Sequence, residues 1–206
     1  MLLNPNLSLT DLAGIAIALV IGVTCHEFSH AFTADQLGDH RPRALGRVSL
    51  NPVRHIDPFG AVLFLIAGFG YGRPVPVNVY ALRPGRIGMA MVAAAGPIAN
   101  VVVALVFAIV YRAIRISGVQ IDLVEAIVLS AVFYNFVLAI LNLIPIPPLD
   151  GYNVLLAFLP PRQAFTLQRY AQYGFLLLLL LVFIPGSPLG LLLGLAAPLT
   201  RLVIGA

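Results

Sequence analysis

The sequence predicts an all-α, multi-span membrane protein, and three observations carry that expectation. Of its 206 residues, 60% are hydrophobic and 10% charged, with a mean hydropathy of +0.99, a balance outside that of ordinary soluble domains. Apolar runs long enough to cross about 30 Å of hydrocarbon recur along the chain. Polar residues gather in short stretches between them. About five to six transmembrane helices are expected by length, with a re-entrant segment and short membrane-associated β-strands. All of this falls in a single domain over residues 1–206.

Residues 1–11 hold no Lys or Arg. The apolar stretch behind them therefore lacks the basic flank of a cleavable signal peptide and is expected to stay in the bilayer. Residues 12–34 are long enough to span. Residues 38–55 are polar, and the run 46–52 reads as a short strand stopped by Pro52. A second extended piece is read at 74–80. Asp35 and Asp39 are expected to be solvated at the helix end. Residues 56–71 are apolar but short for a crossing and broken by Pro58 and several glycines, so the segment is read as re-entrant.

Residues 87–114 and 122–144 read as two further spans. The second runs into Asn142-Leu143-Ile144-Pro145-Ile146-Pro147-Pro148-Leu149-Asp150-Gly151, where three prolines cannot continue a helix. Irregular backbone at membrane depth is tolerated where it lines a cavity, so this run either faces a site or stops a helix just outside the bilayer. Residues 170–184 are expected to span again, and 189–204 to span or lie flat.

The chemistry sits inside the first span, in His26-Glu27-Phe28-Ser29-His30. Residues four apart on a helix lie about 40° apart around the axis, so both imidazoles point the same way and can share one metal ion. Glu27 falls roughly 60° from His30, near enough to act on a water at that metal without ligating it. Ionisable groups in hydrocarbon cost about 2.5–3.5 kcal/mol each on insertion scales, so three in one turn require a ligand or a partner. Cys25, the single cysteine, points about 100° away from His26 and reads as packing.

A hydrolytic zinc site takes three protein ligands, and Asp150, Asp57, Glu125 and His55 are the candidates for the third. All twelve basic residues are Arg. With a re-entrant 56–71, Arg41, Arg43, Arg47, Arg54, Arg73, Arg83, Arg86, Arg162 and Arg169 fall on one side, and Asp150 falls on that same side as the histidines. Arg112 and Arg115 fall on the other. The positive-inside rule makes the Arg-rich side cytoplasmic and the N-terminus external, and it strands Glu125 at the far face. The net charge of +4 is then an orientation signal, and no nucleic-acid partner is expected.

With these residues assembled, the chain resembles the site-2 protease family of intramembrane zinc metalloproteases (peptidase family M50), in the compact form without PDZ or CBS domains. The resemblance rests on the HEFSH helix, Gly96-Pro97-Ile98-Ala99-Asn100, and the run from Asn142 to Gly151. It implies one Zn2+ per chain held by His26, His30 and Asp150, with Glu27 as general base. It also implies a role for Asn142 in holding substrate, while Asn100 could donate to substrate backbone or only bridge two spans. His55 and Asp57 are possible neighbours of the ligands or gating residues, or only turn caps. The implied catalytic core is about 10–155, followed by C-terminal helices at about 165–206. The expected partners are the lipid bilayer and a single-span or signal-peptide-like transmembrane substrate. The competing readings are a membrane metal-ion transporter and a noncatalytic binder of transmembrane helices.

Overall fold

The structure, a computed structural model, describes residues 8–57, 60, 72–118, 121–184 and 188–205. Helix α1 (Leu9–Gln36) begins at a capping box: the Ser8 hydroxyl accepts the Asp11 N–H at 3.0 Å, and the Asp11 carboxylate accepts the Ser8 N–H at 3.0 Å, which satisfies two free donors of the first turn. A short helix α2 (Arg41–Ala44) and a 3-10 turn (Pro52–Arg54) follow. Helix α3 (Arg86–Ser117) closes at Gly118, whose φ of 71° is the left-handed cap that glycine adopts without strain. Helix α4 (Asp122–Asn142) leads through the proline turn to α5 (Asp150–Phe158). Four further helices complete the chain: α6 (Pro161–Tyr170), α7 (Gly174–Phe183), α8 (Pro188–Gly194) and α9 (Ala196–Ile204).

Three of these, α1, α3 and α4, are long and apolar enough to cross a membrane, and they pack on one another in all three pairings. The protein is a membrane protein built on this three-helix frame. Small residues let the helices approach closely, as expected where burial from water no longer drives association. A Cβ on Gly14 would stand 2.9 Å from the Ala126 carbonyl group, and one on Gly22 2.9 Å from Asn135 Oδ1. Ala104, Ala108, Val132, Phe136 and Ala196 form a buried cluster where α3, α4 and α9 meet. Ile98, Val102, Val106 and Ile109 face outward on α3, an apolar surface suited to lipid.

Helix α5 packs on α3. Arg86, the first residue of α3, donates through Nη2 to the carbonyls of Leu156 and Leu159, which gives the exposed end of α5 the donors its last carbonyls need. Gly151 is required at the start of α5, because a Cβ there would run into the Leu143 carbonyl. The turn and helix are therefore folded tightly back on the end of α4.

Two sequence expectations depart from this, on strands and on Asp35 and Asp39, and two reach past the described residues. Residues 46–52 form turns and bends rather than a strand: Gly46 turns left-handed at φ 68°, and Asn51 caps the 3-10 turn by accepting the Val53 N–H at 3.1 Å. Residues 73–78 also form no strand: Pro74 and Pro76 remove two donors from one edge, and the Val75 and Val77 N–H groups are left for the other. No strand forms among the described residues. The one β-like contact is an isolated antiparallel bridge between Ile56 and Gly72, beside an Arg73 N–H to His55 carbonyl bond of 2.6 Å. Second, among the described residues three helices are long and apolar enough to span where five or six are expected; α7 has 10 residues, about 15 Å of helix, and the apolar helical stretch Pro188–Ile204 is also shorter than those three. Third, Asp35 and Asp39 are buried, at 5% and 1% exposure. Asp35 pairs with Arg43 at 2.7 Å and His40 at 3.0 Å. Asp39 pairs with Arg41 at 2.9 Å and accepts the Asn78 N–H at 2.6 Å. Fourth, the re-entrant expectation for 56–71 falls almost wholly outside the described residues.

Candidate metal centre

His26 and His30 project from α1 into the junction of α1, α3 and α5, with their rings edge to face at a centroid distance of 4.5 Å. Both are buried, as is Glu27 between them. Each ring is oriented by its outer nitrogen. His30 Nδ1–H donates to the Val92 carbonyl on α3 at 2.7 Å, and His26 Nδ1–H donates to Asn100 Oδ1, also on α3, at 2.7 Å.

The Asn100 amide is itself fixed. Its Nδ2 donates to the Gly22 carbonyl at 3.1 Å and to Asn135 Oδ1 at 2.9 Å, and Asn135 Nδ2 donates to the Ala131 carbonyl at 2.8 Å. Because a carbonyl at Gly22 can only accept, Asn100 must turn its oxygen to His26. The tautomer of both imidazoles follows: the protons are on Nδ1, and the electron pairs are on Nε2.

Those electron pairs meet. The two Nε2 atoms are 2.9 Å apart, and Asp150 Oδ2, at the start of α5, lies 3.0 and 3.2 Å from them. Asp150 Oδ2 is buried and has no hydrogen-bond donor, since neither Nε2 carries a proton in this tautomer. Three converging lone pairs with no proton between them repel unless a cation joins them. Their edges of 2.9–3.2 Å approach the roughly 3.3 Å expected between ligands about 2.0–2.1 Å from a tetrahedral zinc. Two imidazoles and one carboxylate are also the donor set zinc favours. The residues present fit the ion.

Gly96 supplies the room. A Cβ there would stand 2.6 Å from His26 Nε2 and from His30 Cε1, so the rings lie directly on the backbone of α3. Among the described residues, His26, His30 and Asp150 are the one group of three such side chains able to hold a metal.

The other candidates fall elsewhere. Glu125 sits 3.7 Å from Arg115 at the far end of the α3–α4 pair, about 25 Å along α4 from Asn142 by helix rise. His55 is fully buried but donates through Nε2 to the Ser49 carbonyl at 2.6 Å, inside its own loop. Asp57 accepts the Gly60 N–H at 2.9 Å, a local turn cap. Asn142 donates back to the Leu138 carbonyl at 3.0 Å. Asn100 is fully buried, with both amide hydrogens and its oxygen engaged, and it bridges α1, α3 and α4, the alternative to contact with substrate. Asn135 was not singled out in the sequence, although a lone amide inside the apolar run 131–140 signals a partner.

Two histidines a turn apart and a glutamate beside them, on a helix long enough to cross a membrane, with a carboxylate returning from the short helix α5, are the groups of a membrane metallopeptidase centre. The comparisons with known proteins agree. A sequence profile of peptidase family M50 matches residues 113–184. YwhC of Bacillus subtilis, named a candidate zinc metalloprotease, is 35% identical over 176 residues, 83% of this chain and 80% of its own. Rip2 of Mycolicibacterium smegmatis, named in the same way, is 32% identical over 186 residues, 84% of this chain and 69% of its own. Rip2 of Mycobacterium tuberculosis H37Rv is 31% identical with the same coverage. No solved structure matches significantly. The chain belongs to peptidase family M50, the site-2 protease family, and is a zinc metalloprotease.

Proposed function

We propose that the protein hydrolyses peptide bonds within the bilayer, with His26, His30 and Asp150 holding zinc and Glu27 acting as general base. The observation that carries this reading is the convergence of three electron pairs beside Glu27 on a helix long enough to cross the membrane. Zinc supplies Lewis acidity to the hydrolytic water and the scissile carbonyl. Glu27 takes a proton as the water oxygen adds to the carbonyl carbon, and returns it to the amine as the C–N bond breaks. The Val92 and Asn100 contacts keep the imidazole electron pairs aimed through this cycle.

The substrate is a single-span or signal-peptide-like transmembrane segment that unwinds locally, because a helix hides its carbonyls in its own hydrogen bonds. Residues 73–78, without a strand partner among the described residues, are where the unwound strand pairs. Asn142, at the mouth of the proline turn, contacts that strand. By the positive-inside rule the Arg-rich side is cytoplasmic, which supports a centre nearer the cytoplasmic face of a multi-pass cell-membrane protein, with the N-terminus outside. A transporter would place metal-binding groups at several depths along a path, whereas His26, His30 and Asp150 converge on one point.

The test is cleavage of a model single-span substrate in liposomes, with products mapped by mass spectrometry. Cuts inside the apolar segment, lost with a chelator, restored by zinc and absent in Glu27→Gln, are expected. Cuts confined to the extramembrane flanks, or undisturbed by Glu27→Gln, overturn the reading.

A further inference from the structure

Arg47 differs from its neighbours in the same loop. Arg41, Arg43 and Arg54 are exposed, whereas Arg47 is 7% exposed. Its Nη2 lies 4.0 Å from Glu27 Oε2 and donates to the Arg73 carbonyl, while its Nε is buried without a partner. A buried guanidinium costs several kcal/mol unless it meets a charge, and Glu27 is the carboxylate it meets among the described residues.

The loop is built to deliver it. The left-handed turn at Gly46 redirects the chain, the Arg47 N–H bonds the Pro42 carbonyl at 2.8 Å, and Arg54 Nη1 bonds the Gly46 carbonyl at 3.1 Å. On another side Gly72 closes in, where a Cβ would stand 3.1 Å from Glu27 Oε1.

We propose that Arg47 is a positioning residue for Glu27, an ionic partner that holds the carboxylate toward the metal centre. At 4.0 Å the contact is longer than a hydrogen bond, so it orients the carboxylate by charge and leaves its oxygens free to take and give a proton. The proposal rests on Glu27 being the base, and it gives the run 46–52 a role.

The test compares wild type, Arg47→Gln, Arg47→Lys, Glu27→Gln and the Arg47→Gln/Glu27→Gln double variant in kcat, KM, zinc per chain and melting temperature. For Arg47→Gln, kcat falls roughly 10- to 100-fold, the scale of a misplaced catalytic group, with KM within about twofold and zinc retained. Arg47→Lys keeps the charge and recovers most of the loss. In the Glu27→Gln background, Arg47→Gln adds little, because the two act as a unit. A kcat within about twofold of wild type, a loss confined to KM or to zinc, or full additivity overturns the proposal. Should Arg47→Gln not accumulate, Arg47→Lys alone decides: near-full kcat with zinc intact supports it, and a loss confined to KM or zinc overturns it. Full activity in Glu27→Gln would instead show that the base assignment had failed, whatever Arg47 does.

Discussion

His26 and Glu27 are neighbours in sequence, yet different parts of the molecule hold them. The histidines are braced by the spans: Val92 and Asn100 on α3 fix their outer nitrogens, Asn135 on α4 fixes Asn100, and Gly96 makes room for both rings. Glu27 leans on the connection between spans, through Arg47 and the backbone at Gly72. The metal side is thus built from helices that engage the outer nitrogens of both imidazoles and the whole Asn100 amide, and the base side from a loop shell that closes on it. The difference teaches that metal affinity and base alignment can be altered separately.

The strongest way to break the helical side is Gly96→Val. Its side chain would occupy the space of both imidazoles, and the expected result is loss of stoichiometric zinc together with cleavage, measured by metal analysis and substrate assay; retained zinc would show that α3 can retreat. A sharper probe is Asn100→Ala. It removes the acceptor of His26 Nδ1–H and leaves Asn135 Oδ1 without a donor, so zinc affinity should fall about 10- to 100-fold in chelator competition, with the protein still folded.

The smallest effect lies in the loop shell, at Asp39→Asn. The Arg41 guanidinium first, with the Asn78 N–H, holds the Asp39 carboxyl down at about 2 against an ordinary 3.8. Because the folded value lies below the unfolded one, the stabilisation is complete above about pH 4 and is lost as pH falls through about 2. Asp39→Asn should therefore cost about 1–2 kcal/mol uniformly from pH 5 to 8, read as a constant drop in melting temperature. A cost that vanishes between pH 8 and 5 would contradict the pairing.

The sequence made the helical side legible because its logic is local. The i, i+4 spacing of His26 and His30 fixes their common face whatever surrounds them. Asp150 took one step more, an argument from span count and arginine placement. The loop shell resisted because its contacts follow no period. Asp35 meets Arg43 eight residues on, Arg47 reaches back twenty residues to Glu27, and the β-like run 46–52 finds no strand to pair with. Of the apolar stretches at 170–204, α7 has 10 residues and Pro188–Ile204 is a shorter apolar helix, so neither is among the three described helices long enough to cross.

The central claim is that zinc is held by His26, His30 and Asp150 and not by Glu27. Its most direct test is the zinc dissociation constant, by chelator competition, of detergent-purified wild type, Asp150→Ala, Glu27→Gln and Glu125→Ala. Binding weakened at least about 100-fold in Asp150→Ala, as loss of a ligand exceeds the roughly 10- to 100-fold cost of an outer partner, and within about threefold of wild type in the other two, is the predicted result. Wild-type affinity in Asp150→Ala, or a comparable loss in Glu125→Ala, would contradict it.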